Sequence, residues 1–157
     1  MKEKEFLNLV LQLAEQFTMG VNSGAQWEIY AQVVICGKIM STFGVQGREL
    51  NYPGSKESVD IAFALQGIPY LIELKVESAT NAGQFAGRAL TTAMSDDMNK
   101  LKSFDMENAK RWMLCIAYSA SSKEKLKELD RKKMLTALDE EAPFIAAIVN
   151  VDEIAWG

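Results

Sequence analysis

A chain of 157 residues, 48% hydrophobic and 24% charged, is long enough to bury a full core as one domain over residues 1–157 without disulfide or metal staples. It contains no histidine, which removes Ser–His and Cys–His nucleophiles, histidine general bases and most transition-metal centres. The formal net charge of −4 argues against a protein that coats nucleic acid through bulk charge, and leaves room for a local basic groove.

Phe6, Leu9, Val10, Leu13 and Phe17 recur at helical spacing and predict an amphipathic helix over 2–17, broken by Gly20, Asn22, Ser23 and Gly24. A second helix follows over 25–41, with Trp27, Tyr30, Ala31, Val34, Ile35 and Ile39 on its apolar side. Residues 44–50 read as a strand, and Asn51-Tyr52-Pro53-Gly54-Ser55 as a turn. Two strands, 59–66 and 70–76, are joined by Gln66-Gly67-Ile68-Pro69. Residues 84–104 have helical composition, with a polar Ser95-Asp96-Asp97 side. The apolar run 111–118 suits a buried central strand, 121–140 a charged helix, and 144–151 a last strand. The order α-α-β-β-β-α-β-α-β describes an α/β fold, a mixed sheet flanked by helices. Cys36 and Cys115 sit in apolar runs and read as buried, reduced thiols; Trp27, Tyr30 and Trp112 read as core. No apolar run is long enough to span a bilayer and the first residues lack a signal-peptide pattern, so the expected setting is cytoplasmic, with no membrane.

The paired strands carry the chemistry. Asp and Lys are depleted in strands, yet Asp60 stands in one arm and Glu73 and Lys75 in the other. If Leu65 pairs with Tyr70, Asp60 lies opposite Lys75 and Ala62 opposite Glu73, and alternation gathers Asp60, Glu73 and Lys75 on one face. The opposite face, with Ile61, Phe63, Ile72 and Leu74, is a core. Two carboxylates with a chain carbonyl between them form an oxygen-rich cage for Mg²⁺, with Mn²⁺ as a substitute. A neighbouring lysine orients water or offsets charge on a phosphoryl group, chemistry that needs no histidine. Lys56 and Arg88 are candidates for a phosphate groove. Glu49 and Glu77 read as surface acids.

Asp60, twelve intervening residues, then Glu73-Leu74-Lys75 resembles the signature of the PD-(D/E)XK nuclease superfamily, with Val59 where that signature has proline. The resemblance implies an αβββαβ restriction-endonuclease-like core over 25–118, with an extra N-terminal helix and a C-terminal helix–strand unit. It implies metal-dependent phosphodiester hydrolysis, with Asp60 and Glu73 as ligands and Lys75 as the activating group. It also points to Glu28, on the helix before the first core strand, as a further ligand, and to Gln84, on the helix after the lysine strand, as a catalytic partner. Several branches carry a tyrosine four residues beyond that glutamine; Arg88 stands there instead. The implied partner is nucleic acid, DNA ahead of RNA, with room for a homodimer. The competing expectation is a non-catalytic relative that serves as an immunity or regulatory binding partner.

Overall fold

The amphipathic period at the N-terminus builds two helices where one was expected. In the computed structural model, which describes residues 1–138 and 143–153, α1 (Glu3–Leu11) and α2 (Ala14–Asn22) are separated at Gln12 and Leu13. There the Leu13 N–H bonds the Val10 carbonyl at 3.0 Å, a tightened i→i−3 turn. Leu13 and Phe17 both stay buried, so the apolar spacing runs through the break and hides it. The next helix, α3 (Glu28–Phe43), stops at Gly44, whose φ of 65° closes the helix with an N–H bond to Met40 O at 2.9 Å.

Residues 44–50 do not form the expected strand. They run beside the next segment with isolated bonds only: Arg48 N–H to Ala62 O at 2.7 Å and Val59 N–H to Leu50 O at 2.8 Å. The hairpin itself is present as β1 (Ile61–Leu65) and β2 (Ile68–Val76), with Leu65 opposite Ile68 and Ile61 opposite Ile72. The turn is therefore two residues, Gln66 and Gly67, both at positive φ (53° and 78°), as tight hairpins require. Pro69 lies inside β2. Pairing of β2 with β3 starts only at Tyr70, so the missing proline N–H leaves no gap in that ladder.

The helix expected from residue 84 starts later, as α4 (Leu90–Ser103); residues 84–89 are a loop closed by a bridge between Phe85 and Arg88. β3 (Lys110–Ala117) is the apolar run read as a central strand, and it is buried from Trp112 onward. α5 (Ala120–Arg131) is capped by Ser119, which accepts from Ser122 N–H. It ends well before residue 140. Lys133 turns at φ 58° and the chain enters β4 (Thr136–Leu138), then β5 (Ile145–Asn150). Residues 139–140 of the expected helix lie outside the described residues. The C-terminal unit is thus a helix and two strands.

The sheet is mixed and open, in the order β1-β2-β3-β5-β4, with β2 and β3 parallel and the other pairs antiparallel. Both faces are covered. Helices α1 to α3 pack on the side of Tyr70, Ile72, Leu74 and Trp112. Helices α4 and α5 pack on the side of Leu71, Met113, Cys115 and Val149. Cys115 is buried and Cys36 only partly so; both are free. Trp27 and Trp112 are core, Tyr30 half-buried. No described helix is long and apolar enough to cross a membrane.

Candidate active site

Alternation along β2 sends Tyr70, Ile72, Leu74 and Val76 toward α1–α3, and Leu71, Glu73 and Lys75 toward α4. Asp60 immediately precedes β1. Extending the observed register places it beside Glu73 and not, as expected, opposite Lys75. The shift is two residues, an even number, so Asp60, Glu73 and Lys75 keep a common face. That face lies under α4 and is lined by a second core.

Each acid is held by a different donor. Asp60 Oδ2 accepts from the Leu74 N–H at 2.9 Å, and the Asp60 carbonyl accepts from the Gln32 amide. Glu73, 5% exposed, accepts a short hydrogen bond from the Tyr52 hydroxyl. Burial, followed by the facing Asp60 carboxyl with which it shares a hydrogen bond, pushes the Glu73 carboxyl up to about 9; Tyr52 pulls the other way. Burial and that same bond raise the Tyr52 phenol far above its ordinary value.

The Lys75 ammonium lies 3.0 Å from Asp97 Oδ2 and 4.0 Å from Glu28 Oε1. Burial alone would depress its pKa, but Glu28 and Asp97 outweigh that and leave it raised. Glu28 opens α3, half-buried; burial lifts its carboxyl, with Lys75 opposing. Beyond Lys75 opens a cleft of about 420 Å³, lined also by Arg88, Asp96, Asp97, Asn99 and Lys100. Arg88 is exposed and paired with Asp96. Lys100 lies 3.3 Å from Glu57 and 3.9 Å from Asp97.

Asp60, Glu73, Lys75 and Glu28 are therefore brought together, and Arg88 stands at the cleft. Gln84 is not: it lies in the exposed loop before α4, where its backbone bonds Ser78 and Asn81. Lys56 is exposed on the turn after Tyr52. Glu49 is exposed as expected, but Glu77 is not a surface acid. It is fully buried and its carboxylate accepts from Gly83 N–H at 2.6 Å, Tyr118 N–H and Ser119 N–H at 2.9 Å each, and the hydroxyls of Ser119 and Ser122. It ties the end of β2 to the start of α5.

Asp97 and Tyr52 were not foreseen. The signal for Asp97 was present: it stands three residues after Met94 and four before Leu101, an acid on the buried stripe of α4. Tyr52, one aromatic in a turn sequence, carried none.

The donor set suits a hard divalent cation. Asp60 and Glu73 could supply the one or two carboxylates such an ion takes; burial, and then the facing Asp60, raise the Glu73 carboxyl. Among the described residues no group of three or more Asp, Glu, Cys or His is arranged around a common metal position. Comparison with family models, with curated proteins and with solved structures finds no match to this chain.

Proposed function

We propose that the chain is a divalent-cation-dependent nuclease of the PD-(D/E)XK type, with an αβββαβ-like core in which residues 44–50 stand in for the first strand. The observation that carries this reading is the apposition of the Asp60 and Glu73 carboxyls, with Lys75 on the same face and lining a cleft that also holds Arg88 and Lys100. Asp60 and Glu73 would hold Mg²⁺ or Mn²⁺, with Glu28 as an outer acid. When bound, the cation supplies Lewis-acid charge to a phosphoryl oxygen and an acidified water.

The remaining work falls to the chain. The Leu74 N–H and the Tyr52 hydroxyl fix the orientation of the two carboxyls. The Lys75 ammonium, kept charged by the acids around it, offsets the negative charge that builds on phosphorus during in-line attack. Arg88 and Lys100 draw the phosphate backbone into the cleft.

The test is incubation of plasmid, single-stranded DNA and tRNA with Mg²⁺ or Mn²⁺. Cleavage should fall by about 100-fold or more in Lys75→Ala and Glu73→Ala, with circular dichroism unchanged. Either variant cutting like wild type would remove the assigned role. A second reading, a non-catalytic binding protein on the same fold, is favoured by one observation: Glu73 is almost covered beneath Tyr52. No cleavage of any substrate with either cation would favour it.

A further inference from the structure

Building on the reading of Asp60, Glu73 and Lys75 as one catalytic group, we infer that Asp97 is a positioning residue that anchors the Lys75 ammonium to α4 at the wall of the cleft. A strand fixes the Cα of a lysine and little more; four flexible bonds separate it from the charge. Catalysis by charge needs that group placed within a fraction of an ångström. Of the two acids beside Lys75, Asp97 is the nearer, at 3.0 Å against 4.0 Å for Glu28. It is also the more rigidly held, 4% exposed between Met94 and Leu101 on the helix face packed on the sheet.

Two further facts separate this from an ordinary ion pair. Asp97 Oδ2 is fully buried, and the Lys75 ammonium is the charged group set against it, at 3.0 Å. A buried ion pair is a weak way to stabilise a helix–sheet contact; an apolar residue would serve the packing as well or better. The second fact is reach. Asp97 Oδ1 lies 3.9 Å from Lys100, and Lys100 lies 3.3 Å from Glu57, so one acid on α4 stands between the lysine of β2 and a second cation of the cleft.

The experiment has one arm that needs no cleavage. In the full chain labelled with ¹⁵N-lysine, the Lys75 ammonium should give a slowly exchanging signal with a high order parameter. That signal should vanish in Asp97→Asn and return in Asp97→Glu. The second arm is kinetic: Asp97→Asn should lower kcat about 10- to 100-fold with KM within about twofold, and should do nothing further on a Lys75→Ala background. A mobile Lys75 ammonium in wild type, which needs no variant to fold, overturns the inference, as does an unchanged signal or an unchanged kcat in Asp97→Asn. If the chain cleaves no nucleic acid, the nuclease reading fails and the ammonium signal alone decides for or against the anchor.

Discussion

At the residue scale, the acids of this chain divide by what surrounds them. Glu77 is buried among donors: three backbone N–H groups and two hydroxyls converge on it, and together they lower its carboxyl pKa although burial pushes upward. Glu77→Gln keeps the shape but turns an amide N–H₂ toward those donors. It should cost about 3 kcal/mol in urea unfolding, the penalty of a broken buried network. A loss under 1 kcal/mol would mean that water already serves those donors. Read as sequence, Glu77 is one more acid after a strand, because apart from the Gly83 N–H its partners are backbone groups and hydroxyls 41 to 45 residues away. Asp60, Glu73 and Lys75 were legible for the opposite reason: they break a strand pattern locally, and alternation alone gives them a common face. Asp97 also interrupts a buried helical stripe, but beside Ser95 and Asp96 it reads as part of a polar side.

At the scale of elements, what sequence revealed was periodicity, and what it missed was where periodicity is interrupted without loss of the pattern. The break at Gln12 and Leu13 preserves the apolar spacing, and the loop 84–89 is helix-compatible in composition except at Gly87, which turns at φ 76°. The hairpin register was missed because Pro69 reads as a turn residue, whereas Gln66 and Gly67 alone make the turn. Gly67, at φ 78°, occupies a conformation costly to any residue with a Cβ. Gly67→Ala should destabilise by about 1 kcal/mol without moving Asp60 relative to Glu73. Unfolding midpoints measure the first part, and amide nuclear Overhauser effects across Ile61 and Ile72 measure the second. The cleft side of α4 calls for a contrasting variant. Arg88 and Asp96 form a half-exposed pair on the surface, which contributes little to stability. Arg88→Ala should change the unfolding free energy by less than about 0.5 kcal/mol, yet weaken nucleic-acid binding and reduce its salt slope by about one ion. An unaltered slope would place the phosphate elsewhere.

At the scale of the whole molecule, Glu73 and Glu77 give stability two opposed dependences on pH. Glu77 titrates below its ordinary value of 4.5 in the fold. Its contribution is present above the unfolded value and is lost as pH falls through the folded one. Glu73 is raised from 4.5 to about 9. Between those values the unfolded chain has released a proton that the folded chain keeps, so stability falls as pH rises across that window. Glu73→Gln should flatten this decline, while Glu77→Gln should flatten the acid limb. Under the proposed function, a divalent cation set against Asp60 would relieve the burden that Glu73 places on the fold. Binding Mg²⁺ or Mn²⁺ at pH 7 should then expel the Glu73 proton, because metal ligation requires the carboxylate. Titration calorimetry in buffers of different ionisation enthalpy reads that proton directly, and Glu73→Gln should abolish it. Heat of binding independent of buffer would mean that the cation does not meet Glu73, and the paired carboxyls would then be a feature of the fold and not of catalysis.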